Sequence, residues 1–189
     1  MSKYIYILLS RSTTIASRCI RLVTKKEYTH VSISVDPTLN EMYAFCRIYP
    51  RLPVPGGLAR DSLYRGFYEI HKTIPCAFYR LEVTDTQFEM VNESLKRLYE
   101  IKDRFSYDLL GACLFMNKKE RKCFNNRYCS WFVGELLGTL GIAEFDKPYS
   151  LLEPVDFRDI KGIELLNEGN VLGLRSYLQE CYNVEGKEG

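Results

Sequence analysis

Arg127-Tyr128-Cys129-Ser130-Trp131-Phe132-Val133 is the stretch from which the fold is read, because a polar, basic approach there runs directly into an apolar segment. From Cys129 the apolar positions fall at Phe132, Val133, Leu136, Leu137 and Leu140, the three-and-four spacing of a helix with one buried stripe. Asn125 or Asn126 is suited to cap its first turn, and Gly141 to end it. Gly134 and Gly138, spaced one helical turn apart, let another element approach closely, at a propensity cost of up to about 1 kcal/mol each. Cys129 thus falls in the first turn, where unpaired backbone N–H groups and the helix dipole lower a thiol pKa and suit a developing oxyanion. It also lies in register with the apolar stripe, so packing competes with nucleophilic chemistry as its role.

A second stretch upstream bears on that choice. In Tyr28-Thr29-His30-Val31-Ser32-Ile33-Ser34-Val35 the apolar residues Val31, Ile33 and Val35 alternate with His30, Ser32 and Ser34, the period of a strand. His30 is therefore presented on a polar face by a strand whose other face anchors it. The chain has two histidines, and the other, His71, sits in a loop-like run before Lys72.

Tyr-Thr-His-Val-Ser-Ile early and Tyr-Cys-Ser-Trp-Phe-Val late, with Leu39-Asn40-Glu41-Met42-Tyr43-Ala44-Phe45 after the histidine strand, together resemble the circularly permuted branch of the NlpC/P60 papain-like superfamily. The look is closest to its YiiX-like hydrolases, over about residues 3 to 160. In that branch the histidine strand precedes the nucleophile helix, the reverse of the order in papain. The resemblance implies Cys129 as nucleophile and His30 as general base. Relatives usually carry a glutamate or a second histidine on the next strand, where this chain has Met42-Tyr43-Ala44-Phe45-Cys46-Arg47-Ile48. Neither Phe45 nor Tyr43 orients an imidazole as a carboxylate does. Glu41, Glu69, the Tyr43 hydroxyl and a backbone carbonyl are the candidate substitutes, with Tyr28 as a candidate second oxyanion donor.

Composition bounds the rest. The 189 residues suit one globular domain, and 46% hydrophobic residues with 13% aromatics exclude a disordered chain. A formal net charge of +2 does not suggest a nucleic-acid binder, and seven cysteines without framework spacing suggest reduced thiols in a cytoplasmic setting. The apolar run Tyr4-Ile5-Tyr6-Ile7-Leu8-Leu9 is too short for a signal-peptide core or a membrane span and reads as a buried strand.

In chain order, Ser12 or Thr13 begins a helix with Ile15, Cys19, Leu22 and Val23 inward and basic residues on its solvated side. Pro- and Gly-rich residues 49–65 read as an irregular loop beside His30, either enclosing substrate or making a surface excursion. Residues 66–71 are undecided between a short strand and a turn. Cys76–Val83 alternates as a strand, and Thr84-Asp85-Thr86 starts a helix with Phe88, Val91, Leu95 and Leu98 inward. A further helix is expected from Tyr107 to Phe115. Residues 118–127 hold five basic and one acidic residue, a local net charge of +4 beside Cys129 that favours a thiolate or meets an anion. Residues 154–160 read as a short helix or turn, Val171–Leu174 as a possible edge strand, and the polar tail as mobile.

The expectation is an α+β domain over residues 1–189, with a mostly antiparallel sheet of residues 3–9, 29–35, 42–48 and 76–83 packed against the Cys129 helix in a permuted papain-like arrangement. The expected activity is cysteine hydrolysis or acyl transfer on an amide or ester of a peptide, peptidoglycan fragment or lipid-like substrate. No metal-ligand pairs, GxGxxG or P-loop occur, so cofactor-free chemistry without integral membrane association is expected, the oligomeric state being open. Two competing expectations are an inactive papain-like binding domain and an anion- or membrane-surface binder using residues 118–127.

Overall fold

The computed structural model describes residues 2–11, 27–47, 56–104, 106–107 and 126–182. In chain order these form β1 (Lys3–Ser10), β2 (His30–Ser34), β3 (Met42–Arg47), β4 (Gly56–Asp61), α1 (Gly66–Ile70), β5 (Pro75–Val83), α2 (Asp85–Glu100), a 3-10 turn at Lys102–Arg104, β6 (Ser106–Tyr107), β7 (Asn126–Arg127), α3 (Cys129–Thr139), 3-10 turns at Tyr149–Leu151 and Pro154–Asp159, β8 (Ile163–Asn170) and α4 (Val171–Tyr182). The helix expected from Ser12 or Thr13, almost all of that expected over 107–115, residues 118–125 of the basic stretch and the tail after 182 lie outside the described residues.

The six-stranded sheet has the order β4-β3-β2-β1-β5-β8, antiparallel throughout, and β6 and β7 make a separate parallel pair. The run of apolar residues in β1 is explained by burial on both sides. Ile5, Ile7 and Leu9 enter one core, and Tyr6 and Leu8 the other. The first core holds Val31 and Ile33 of β2, Tyr43 and Phe45 of β3, Val91 and Leu95 of α2, and Phe132, Val133, Leu136 and Leu137 of α3. The second places Tyr68 of α1 and Leu174 and Leu178 of α4 over Tyr6, Leu8, Met42, Cys76 and Phe78. The fold is therefore mixed α+β, with an antiparallel sheet between helices.

Start and stop chemistry accounts for the helices. Thr84 and Gln87 form a reciprocal capping box at α2. Around the end of α3, Gly141 takes φ 63°, Gly141 N donates to Gly138 O at 3.1 Å and Ile142 N to Leu137 O at 2.9 Å, the paired bonds of a Schellman motif. Its beginning differs from expectation: the N-cap is Tyr128, in extended conformation and without a side-chain capping bond. Asn126 is instead part of the short extended pairing of β7 with β6, so the chain stays extended up to Cys129. The helix is also buried nearly all round, at Cys129 to Gly134, Leu136 and Leu137, rather than on one stripe.

Three other segments depart from the sequence reading. Within the expected loop at 49–65, residues 56–61 are the edge strand β4, paired with β3 from Met42–Asp61 to Arg47–Gly56. Gly56 and Gly57 have little strand preference of their own, and the pairing of Leu58 with buried Phe45 supplies what propensity does not. Residues 66–70 are helical. Val171–Leu174, expected as an edge strand, opens α4: Gly173 N donates to Asn170 Oδ1 at 2.9 Å as a cap, and Val171, Leu174 and Leu178 are buried at helical spacing. The edge strand is the preceding segment, β8, held to β5 in part by the Arg80–Glu164 pair at 2.8 Å.

The glycine spacing of α3 does bring another element close. A Cβ on Gly134 would fall on the buried Leu152 side chain, and one on Gly138 on the Tyr149 ring. Gly134→Ala is thus expected to destabilise by about 1–3 kcal/mol in urea unfolding, although alanine favours a helix by up to about 1 kcal/mol. Leu152→Ala in the same chain removes the clash and makes the two changes non-additive. A stabilised Gly134→Ala single variant would contradict the close approach.

Candidate active site

Cys129 is the first residue of α3, and its turn is clamped to the segment behind it. The Tyr128 hydroxyl donates to Ser150 O, and Ser130 Oγ donates to Leu152 O at 2.5 Å. With no capping side chain present, the amides of Cys129 and Ser130 are directed at the Cys129 sulfur, and the amide of Val31 joins them from β2. Over their described length β2 and β3 share one register pair, Ile33 with Tyr43, so this end of β2 has backbone to offer outside that ladder. The three amides favour the thiolate, but burial outweighs them and the thiol pKa is raised. The lowered value expected from helix position alone is therefore corrected: desolvation of a residue 6% exposed is the larger effect. Cys76, buried in the second core, is pushed up to about 12 by desolvation alone.

Alternation in β2 holds as read. Val31 pairs with Leu9 and enters the α3-side core, whereas His30 pairs with Ser10 on the other face. His30 Nε2 lies 3.3 Å from Ser32 Oγ. Tyr68 of α1 hydrogen-bonds both Ser32 and Ser10, the latter at 3.1 Å. The polar face of β2 is consequently a buried hydroxyl row beneath α1. Cys129 meets β2 at the amide that follows His30, while the imidazole is engaged by Ser32 on the opposite face.

The remaining sequence candidates have other partners. Tyr28 is buried, donates its hydroxyl to Glu168 Oε1 at 2.8 Å and carries Arg158 4.9 Å above its ring, so this proton is directed away from an oxyanion. Glu69 is exposed and pairs with Lys72 at 2.5 Å and Arg175 at 2.8 Å, which lower its carboxyl pKa. Glu41 accepts from the Tyr43 hydroxyl and from Arg60 at 3.2 Å. Among the described residues, these are the bonds shown for the two carboxylates. Sequence reasoning did not single out Ser10 or Tyr68. Ser32 carried a legible signal, since it shares the face of His30, but Tyr68 lies in a short helix that periodicity left undecided.

Asp61, at the end of β4, adds a titratable group beside the row. Burial pushes its carboxyl up to about 6 against the opposing bond from Ser62 N at 2.8 Å, and its charge in turn raises the Tyr68 phenol.

Comparison of the chain with protein-family models, curated proteins and solved structures gives no match.

A raised folded-state carboxyl binds its proton more tightly than the unfolded chain does, so its contribution is fully present below pH 3.8 and lost as pH rises through about 6. Asp61→Asn is therefore expected to stabilise at pH 7, by at most about 3 kcal/mol, and to have little effect at pH 4. Thermal melts of both proteins at the two pH values check this, and equal effects at both would contradict it.

Proposed function

We propose that the protein is a cysteine hydrolase or acyltransferase of the permuted NlpC/P60 papain-like kind, with Cys129 as nucleophile and His30 as base. The observation that carries this reading is the amide of Val31, adjoining His30, directed at the Cys129 sulfur. Two motifs remote in sequence share that contact. The start of α3 also supplies N–H groups uncommitted to a capping side chain.

The proposed reaction requires the His30 imidazole, which lies on the face of β2 opposite α3 in this structure, to reach Cys129 and take its proton; the thiolate then attacks the carbonyl carbon of an amide or ester. The resulting oxyanion is held by N–H groups at the start of α3 as the C–N or C–O bond breaks. The imidazolium protonates the departing amine or alcohol. Water, giving a proton back to His30, then cleaves the thioester to a carboxylic acid and restores the thiol. Another acceptor in place of water gives acyl transfer. The substrate class is a peptide, a peptidoglycan fragment or a lipid-like acyl compound.

A second reading, an inactive papain-like domain that binds such a ligand, is favoured by the raised thiol and by the commitment of Glu41 and Glu69 to other partners. The third, anion or membrane-surface binding, depended on residues 118–127, whose side chains lie outside the described set. No helix among the described residues is long and apolar enough to cross a membrane.

Alkylation of Cys129 by iodoacetamide, followed peptide by peptide across pH, separates the first two readings. Pairing with His30 predicts labelling at pH about 6 at least about 10-fold faster than a free cysteine, lost in His30→Ala. Burial without pairing predicts the reverse: slow labelling that rises only at alkaline pH and is indifferent to His30. That outcome would replace the hydrolase by the binding domain.

A further inference from the structure

Two observations meet beneath α1. The first is how lightly this helix is held: it has five residues, starts at Gly66 in the left-handed region (φ 60°) and has no side-chain bond at its N-cap, Arg65. Tyr68 is its one buried residue, and the Tyr68 hydroxyl bonds Ser10 and Ser32 of the sheet. A helix this short has little stability of its own and stays in place through that anchor. The second is Asp61, whose carboxyl lies against the start of the helix. A Cβ on Gly66 would stand 3.5 Å from Asp61 Oδ1, and that oxygen accepts from Ser62 N at 2.8 Å. Among the described residues no cation pairs with it.

The groups around Asp61 do not compensate its charge. Tyr68 faces it from α1 as a phenol whose own proton the carboxylate helps to retain, and Met42 stands opposite on β3. Cys76 of β5 lies beside Tyr68 with its thiol pushed up to about 12, and His30 meets the hydroxyls at Ser32, 3.3 Å away. Arg175 of α4 donates to Leu63 O and, at 2.8 Å, to Glu69, which also pairs with Lys72. These partners hold the Glu69 carboxyl below its usual range. The ties on the outer side of α1 therefore keep their charges between about pH 5 and 8, where Asp61 changes its own.

We propose that α1 is a lid hinged at Gly66 and latched by Asp61: it lies closed on the sheet while the carboxyl holds its proton and opens as the proton is lost. The reading is independent of the chemistry proposed for Cys129. In the closed form an ionised Asp61 has exchanged most of its water for a single backbone bond, and a lid that lifts returns the water to it. The sign follows from the carboxyl being pushed up from 3.8 to about 6 in the closed form. The proton favours closure fully below pH 3.8, and that preference is lost as pH rises through about 6. Opening uncovers Tyr68, Ser10 and Ser32, all buried when α1 is down. It also removes part of the cover from the His30 face of β2, the strand whose Val31 amide meets Cys129.

The test is amide hydrogen exchange of the whole chain, followed by NMR from about pH 4.5 to about pH 8 and corrected for the intrinsic pH dependence of exchange. The reporter is the His71 amide, which closes α1 by donating to Phe67 O at 3.0 Å, and the amides of β1 report unfolding of the whole chain. The expected result is a His71 opening constant larger than that of β1, rising about 30-fold across the range and levelling off above pH about 6. Titration of the Asp61 carboxyl, read by 13C in the same chain, falls where the rise levels off. In Asp61→Asn the rise disappears. The carboxyl titration needs no variant, so a titration that does not coincide with the levelling overturns the proposal even should Asp61→Asn not fold. A flat His71 profile overturns it too, as does a rise that persists in Asp61→Asn, which assigns the effect to His30 or His71. His71 exchange that tracks β1 at every pH also overturns it, since Asp61 then acts on the whole fold and not on a lid.

Discussion

The burial of β1 on both faces is the constraint on which the rest of the structure depends. A strand with one face in water needs a single partner layer, but β1 sends Ile5, Ile7 and Leu9 one way and Tyr6 and Leu8 the other. Both sides must then be roofed, and the chain supplies α2 and α3 on one side and α1 and α4 on the other. Each fully buried aliphatic or aromatic side chain is worth roughly 1.5–3 kcal/mol relative to exposure, so leaving either side open would forfeit several times that. Antiparallel pairing to β2 and β5 along both edges of β1 then places the histidine strand beside the centre of the sheet, where its backbone is fixed from one side by a full ladder.

The same constraint divides the candidate site. A strand in the middle of a three-layer fold has two buried faces, and successive residues must go to different layers. Val31 goes to α3 and His30 to the hydroxyl row, so the groups that sequence pairs as nucleophile and base belong to different layers. What the two layers share is the strand's own backbone, and the Cys129 sulfur meets it there, at the Val31 amide. The electrostatics of the thiol follow from this depth. Three amides would suffice to lower a thiol near the surface, yet the loss of water around a buried sulfur costs the anion more than they return.

The elements whose sequences carry a full period were legible: the apolar run of β1, the alternation of β2 and β5, and the capped, three-and-four-spaced α2. Elements decided by tertiary partners were not. β4 begins with two glycines after a proline-rich stretch and is a strand because β3 offers it an edge. The four residues Val171–Leu174 are a short apolar run that reads equally as a strand, and the helical spacing becomes visible only when Leu178 and the Asn170 cap are taken with them. At the site, the position of Cys129 at a helix start was legible because glycines and apolar spacing define that helix. The partners of Glu41, Glu69 and Tyr28 were not, since a carboxylate or phenol pairs with whatever charge the fold brings beside it, here Arg60, Arg175 and Glu168. The sign of the thiol shift was illegible for the same reason, because periodicity marks a buried stripe but not burial all round.

The clamp behind α3 follows from that all-round burial. A helix packed on every side has no solvent face on which its first-turn side chains can find water, so each polar group there needs a protein partner. Tyr128 and Ser130 find theirs in the carbonyls of Ser150 and Leu152, and the glycine at 134 lets Leu152 come close enough to offer one. Two hydroxyls flanking Cys129 are thereby anchored to one segment, which fixes the rotation of the helix about its axis as well as its depth. Rotation is what decides where the sulfur points. Slipping by one residue would carry Cys129 about 100° round the helix and away from β2, since an α-helix has 3.6 residues per turn. The glycine spacing and the two carbonyl bonds thus act on the candidate site through geometry alone, by holding the sulfur of Cys129 at the edge of the strand that begins with His30.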